Sequence, residues 1–267
     1  MATVAVEYED RDVSIGRVFN RAFATIGSNP GTIVSIAFLF GALPATLIGY
    51  GSQYLQRTQI TFLGLWTTLA ITLVSLVLSV ACSMLTQGAL VRATIAHSEG
   101  RKAGFAESAQ AGLAVVVPLL LLSIGSGLGI AVGMIFLIVP GIILYVMWSV
   151  AAPALVEENL GIFQAFARSN ELTSGDRWKI FGVELIAIVA YWLFSAAVGV
   201  LAFALFGGLR GLAAAAGTGF PLSYYILTAV ANTATSAVWG VIQTSLYVEL
   251  RNWHEGPPTH ALAEVFG

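Results

Sequence analysis

The stretch SAQAGLAVVVPLLLLSIGSGLGIAVGMIFLIVPGIILYVMWSVAAPALV, residues 108–156, contains no Asp, Glu, Lys or Arg. Four more tracts share that character: Gly31 to Arg57, Thr58 to Arg92, Glu184 to Arg210 and Gly211 to Glu249. Hydrocarbon selects such runs, because a charge at the bilayer centre costs about 2.5–3.5 kcal/mol even on the lenient insertion scale. A soluble domain carries about a quarter charged residues; this chain of 267 residues carries 10%, with 57% hydrophobic. Its mean hydropathy of +0.85 agrees. The composition excludes the soluble, disordered and disulfide-scaffold classes and implies an all-α polytopic membrane protein.

A helix rises about 1.5 Å per residue, so roughly 20 residues cross about 30 Å of hydrocarbon. That ruler places spans near residues 32–50, 62–87, 112–137, 142–156, 181–206 and 222–246, in one membrane domain. The second is expected to continue as helix toward Ala96. The opening stretch is too long for one pass, and Val139-Pro140-Gly141 is its natural break, since proline removes a donor and glycine permits a tight turn. Lys and Arg set orientation. Arg11, Arg17, Arg21, Arg92, Arg101, Lys102, Arg168, Arg177, Lys179 and Arg251 gather on one side, against Arg57 and Arg210 on the other. An even number of spans then puts both termini in the cytoplasm. The acidic start, with Glu7, Glu9, Asp10 and Asp12, matches neither a secretory signal nor a mitochondrial presequence, so the first span is expected to be retained.

Three charged segments on that side share a design. Residues 12–28 place Ile15, Phe19, Ala22, Phe23 and Ile26 on one helical face. Residues 160–172 oppose Ile162, Phe163 and Phe166 to Gln164, Arg168 and Asn170, and a weaker copy surrounds Phe105. These read as amphipathic helices at headgroup depth. Short echoes suggest a threefold repeat of surface helix plus hairpin: Ala22-Phe23-Ala24 with Ala165-Phe166-Ala167, and Ala89-Leu90-Val91-Arg92 with Ala154-Leu155-Val156-Glu157. Tyr247-Val248-Glu249 is a looser third copy at a span exit; chance similarity in a restricted alphabet is the alternative. Gly125, Gly129 and Gly133 recur every four residues, a spacing that admits another helix closely. Ala229/Thr233 and Ser236/Gly240 offer a counterpart within the chain; a dimer interface is the other reading.

Chemistry is sparse. Cys82, the only cysteine, excludes an intrachain disulfide and reads as a small apolar filler. His97, His254 and His260 lie outside the spans without ligand spacing. No phosphate loop or nucleophile elbow occurs, and Gly207-Gly208-Leu209-Arg210-Gly211 reads as a loop. No cofactor and no catalytic residue is expected, and a net charge of −2 gives no field for nucleic acid. Glu184 sits about 9 Å along a helix from Trp178; it either binds a proton or ligand, faces the bundle, or pairs with Arg177 or Lys179. Glu157 and Glu158 end a span and pair with Arg168 or Lys179, or cap the boundary. Gln87 and Gln243 suit interhelical bonds. Asn232, Thr233, Thr235 and Ser236 form a polar stripe that is either structural glue or a cavity lining.

Val139-Pro140-Gly141, Ala151-Ala152-Pro153-Ala154-Leu155-Val156-Glu157-Glu158, Ala165-Phe166-Ala167-Arg168-Ser169, Leu172-Thr173, Gly175 and Arg177-Trp178 form a longer pattern. With Phe19-Asn20-Arg21-Ala22-Phe23, it resembles the membrane domain of the bacterial glycerophosphoryl diester phosphodiesterase membrane-domain family and related uncharacterised six-span proteins. The likeness is loose outside residues 138–178. It implies the six-span fold and a charged motif on Glu157, Glu158, Arg168, Ser169, Arg177 and Trp178. It implies no phosphodiesterase activity, since the metal-binding barrel is not in this sequence. The resulting expectation is a non-catalytic protein of a bacterial cytoplasmic membrane. Arg17, Arg21 and the motif would organise anionic lipids or protein partners, including a second copy, at the inner leaflet. A transporter or lipid-handling permease is the main rival, and an intramembrane enzyme acting on lipid head groups the third reading.

Overall fold

The computed structural model describes residues 13–58 and 64–256. Arg11, Phe62, His260 and the acidic residues Glu7 to Asp12 lie outside the described residues, as does the side chain of Arg57. Among the described residues the chain is α-helical with one π-helical stretch and no strand. It is an all-α polytopic membrane protein: six helical stretches are long and apolar enough to cross a membrane.

Helix α1 (Ile15–Ser28) leads into α2 (Pro30–Ile36), a π-helical stretch (Ala37–Ala42) and α3 (Leu43–Thr58). Together these last three make the first span, Pro30–Tyr54. Pro44 explains the π stretch: it has no N–H for the Phe40 carbonyl, and its ring crowds that oxygen in an α-helix. The Leu43 N–H accordingly reaches back to the Phe38 carbonyl. Helix α4 (Gly64–Ser98) is the second span and does run on past Ala96. Helix α5 (Phe105–Phe136) is the third; α6 (Ile138–Met147) and α7 (Ala151–Glu158) together are the fourth. Helix α8 (Ile162–Thr173) lies between them and α9 (Arg177–Leu205), the fifth span. A short α10 (Gly208–Thr218) precedes α11 (Leu222–Glu255), the sixth.

Three expectations need correction. The long apolar stretch breaks at Leu137, whose backbone is extended (φ −160°, ψ 142°), not at Val139–Gly141. Pro140 falls in the first turn of α6, where a missing N–H costs nothing. The segment around Phe105 is the first turn of α5 and not a separate surface helix. Of Gly207–Gly211 only Gly207 lies in the turn, with positive φ at Gly207 and Gly208 (88° and 60°); from Gly208 the alanine-rich sequence forms α10, as its helix propensity favours.

Burial is lopsided. Ala89 to Val91 of α4, Ala151 to Val156 of α7 and Val241 to Leu250 of α11 supply most of the core, joined by Val18, Ala165, Leu172, Ile180 and Val183. All lie toward the end of the bundle that carries α1 and α8. At the other end Leu73, Val74, Leu128, Val132, Ile135, Trp192 and Val200 are exposed, between 51% and 82%. Lipid tails are as apolar as these side chains, so nothing drives them together.

Glycines decide where helices touch. A Cβ on Gly112 would sit 2.6 Å from the Leu85 carbonyl, and Gly88 and Gly112 face each other, fixing the α4–α5 crossing. The stripe on α5 also packs within the chain: Gly125 faces Phe166, Gly129 faces Trp148 and Gly133 faces Gly141. The proposed counterpart in the sixth span is not its partner. Ser236 instead meets Gly41 of the π stretch, and Gly240 meets Leu90 of α4.

Candidate functional site

Two polar constructions stand out at the densely packed end. The first is centred on Glu184, two turns into α9 and only 2% exposed. Tyr145 of α6 donates its hydroxyl to Glu184 Oε2 at 2.9 Å. Gln243 of α11 places Nε2 at 3.0 Å from both carboxylate oxygens. Glu184 therefore faces the bundle. Arg177 instead donates to Asn170 Oδ1 at 2.8 Å, and Lys179 pairs with Asp176 at 3.1 Å. Gln87, expected to behave like Gln243, makes no side-chain hydrogen bond among the described residues.

The second is a chain of ion pairs that laces five helices. Arg168 of α8 bonds both oxygens of Glu158 through Nε at 2.9 and 3.0 Å, and reaches Glu171 at 3.2 Å and Glu255 of α11. Tyr247 of α11 donates to Glu158 at 2.8 Å. Glu255 also pairs with Arg251, which reaches Glu157 of α7 at 3.5 Å. Glu157 lies 4.0 Å from Arg92 of α4, which pairs with Glu107 of α5 at 3.1 Å. Glu107 in turn holds Arg101, bonded also to Glu99. The exits of the three even-numbered spans thus converge through Arg92, Glu157 and Arg251.

A separate clasp holds α1. Glu249 of α11, its side chain 6% exposed, binds Arg17 Nε at 2.6 Å and Arg21 Nη2 at 3.3 Å. Burial lowers the Arg21 guanidinium from its ordinary value, Glu249 opposing and Arg17 adding to the effect. Burial works against Arg168 as well, but the bonds to Glu255 and Glu158 prevail and raise it. Two arginines expected to meet lipid therefore direct charge at a protein carboxylate.

The clasp also resets the face of α1. Val18, Ala22 and Thr25 are buried, with Ile15, Phe19 and Ile26 packed beside them. Phe23, expected on the same face as Ile15, Phe19, Ala22 and Ile26, is 60% exposed. On α8, Ala165, Ser169, Leu172 and Thr173 are buried, whereas Phe163 is 87% exposed. Ser169 has a defined task. The interruption between α6 and α7 leaves the Met147 carbonyl without its α-helical donor, and Ser169 Oγ donates to it at 2.8 Å. Trp178, at the start of α9, is 85% exposed and meets Phe181 edge to face at 6.2 Å.

The polar stripe of α11 is turned on its own backbone. Thr233 donates to the Ala229 carbonyl at 2.8 Å and Thr235 to that of Ala231 at 3.0 Å, while Asn232 is exposed. A cavity of about 400 Å³ lies elsewhere, between the end of α9, α10 and the start of α11, with Phe206 and Phe220 on its walls. Among the described residues no three or more His, Cys, Asp and Glu side chains converge as metal ligands would. The sequence reading missed Tyr145, Glu249 and Glu255. Tyr145 had one signal, a hydroxyl deep in an apolar tract that requires a buried partner.

No family model matches this chain, and no curated protein or solved structure matches it either.

Proposed function

We propose that this chain is a non-catalytic protein of a bacterial cytoplasmic membrane that organises lipids, or partner proteins, at the inner leaflet. The observation that carries the reading is the trio Phe23, Phe163 and Trp178, exposed by 60%, 87% and 85%. They project from α1, α8 and the start of α9, at the charged, densely packed end. Aromatic rings at a span's polar end favour headgroup depth, where an apolar body and a wet surrounding are both satisfied. The excess of Lys and Arg at this end supports a cytoplasmic orientation with both termini inside. Because Arg17, Arg21 and Arg168 are engaged by carboxylates, insertion of rings outweighs attraction to anionic lipid, worth about 1 kcal/mol per free basic residue near the surface. The resemblance of residues 138–178 to a phosphodiesterase-linked membrane domain fits this reading, since it brings a fold and no hydrolytic machinery.

The test replaces Phe23, Phe163 and Trp178 together by Ser and counts the lipids that stay with the purified protein by native mass spectrometry. Fewer retained lipids, anionic ones included, are expected at unchanged helicity. Equal retention by the triple variant and the wild type would refute the proposal. Anionic-lipid binding by an Arg17, Arg21, Arg168 and Arg177 to Gln variant reports separately on the electrostatic share.

A further inference from the structure

We propose that Glu184, Gln243 and Tyr145 form a binding site for one monovalent cation, a proton or a sodium ion, enclosed where α6, α9 and α11 meet. Glu184 is 2% exposed, and its oxygens receive only neutral donors, the Tyr145 hydroxyl and the Gln243 amide. Among the described residues no Lys, Arg or His lies in salt-bridge reach of it. A carboxylate taken out of water demands a counter-charge far more than it demands one further dipole.

The second observation is independent of the carboxylate. Gln243 is 7% exposed, and its Oε1 is enclosed with no hydrogen-bond partner. Its Nε2 is fully occupied by straddling Glu184. A buried amide oxygen without a donor is rare in folded proteins. A cation neutralises Glu184 and, once the Gln243 amide turns over, gives Oε1 something to bind.

The two candidate ions use the site differently. A proton converts Glu184 to the acid; the Gln243 amide turns over, and Oε1 accepts the new O–H where Nε2 had donated. A sodium ion, which prefers hard oxygen ligands, takes the carboxylate, Gln243 Oε1 and Tyr145 Oη. Surrounding charges are committed elsewhere. Helix α6 brings only Tyr145, and Arg17 and Arg21 of α1 bind Glu249 of α11. Tyr247, one turn past Gln243, donates to Glu158, and on α9 Lys179 pairs with Asp176. Arg210 of α10 lies at the opposite end of α9. This site does not depend on the lipid-organising reading, and its failure would leave that reading standing.

The experiment uses the full chain in lipid nanodiscs, as wild type, Glu184→Gln and Gln243→Leu. E184Q is isosteric with the acid form: its amide can accept from Tyr145 and donate to Gln243 Oε1, so the helix junction survives. In the sodium arm, sodium chloride replaces N-methylglucamine chloride at constant ionic strength and thermal unfolding is followed. A sodium site raises the wild-type midpoint, with no rise in E184Q or Q243L. In the proton arm, infrared spectra of protein labelled with 13C-glutamate are read at neutral pH. A proton site gives a carboxylic-acid carbonyl band that E184Q lacks. Absence of a sodium response specific to the wild type, together with absence of that band, would overturn the proposal. The infrared arm can fail on wild type alone, even if a variant does not fold.

Discussion

Replacing Glu249 by glutamine should release α1 from the bundle while the spans stay assembled. Glu249 has 6% side-chain exposure and serves two arginines, so the substitution withdraws this carboxylate's charge from both. The Arg17 side chain is 49% exposed, and its share, screened by solvent, is about 0.5 kcal/mol. Arg21 is 26% exposed and one of its nitrogens, Nη1, is already buried without a partner. Its loss falls toward the low end of the ~3–5 kcal/mol seen when a buried pair is broken from one side. The sum, about 3.5 kcal/mol, makes local opening of α1 roughly 300-fold more frequent. Hydrogen exchange read by mass spectrometry reports this directly. Amides of Ile15–Ser28 should lose about two and a half decades of protection and those of α5 none. Unchanged protection in α1 would show that its apolar face alone holds it, and the electrostatic reasoning would be wrong. The double variant Arg21→Met with Glu249→Leu supplies the converse, since an apolar pair needs no charge balance; α1 should redock.

Gly112→Ala should cost about 1–3 kcal/mol by forcing α4 from α5, because the new Cβ would meet the Leu85 carbonyl at 2.6 Å. Gly127→Ala, with nothing within 4 Å, should be neutral or stabilise by up to about 1 kcal/mol; equal thermal shifts for both would refute the close-packing account. Arg168→Lys should recover less than half of the stability lost in Arg168→Ala, since one ammonium cannot serve Glu158, Glu171 and Glu255 in their separate directions. Hydrogen exchange in α8 distinguishes the two, and full rescue by lysine would argue for simple charge. Ser169→Ala should cost about 1 kcal/mol, read as a lower unfolding midpoint, because it leaves the Met147 carbonyl only the Thr173 hydroxyl at 3.5 Å; no change would mean that Thr173 takes over fully.

The spans were legible because the penalty for a charge in hydrocarbon acts on each residue independently of its neighbours. Their joints were less so. Pro140 looks like a breaker in the sequence, yet a first-turn proline suits a helix, and only the packing of Gly133 on Gly141 explains why the chain turns at Leu137. The pair Glu158–Arg168 could be anticipated because a short loop brings α8 back beside α7. Arg17–Glu249 could not, since 232 positions separate the partners and no local pattern encodes their meeting. Phe23 shows the same limit. A wheel drawn by hydrophobicity groups it with Ile15, Phe19, Ala22 and Ile26, but the wheel contains no Glu249 to bring Arg21 toward the bundle. Glu184 was visible as an oddity in an apolar tract, whereas Tyr145 became meaningful only once α6 lay beside α9.

Helix α11 has a consequence for synthesis. It is the last of the six spans to leave the ribosome, yet it supplies the residues against which α1, α4, α7 and α8 close. Until it arrives, Arg17, Arg21 and the Glu157 end of α7 lack their partners on that helix. A nascent chain halted before Leu222 would thus display Arg21 without Glu249 beside bare apolar faces, the signature that membrane proteases and chaperones recognise in unfinished clients.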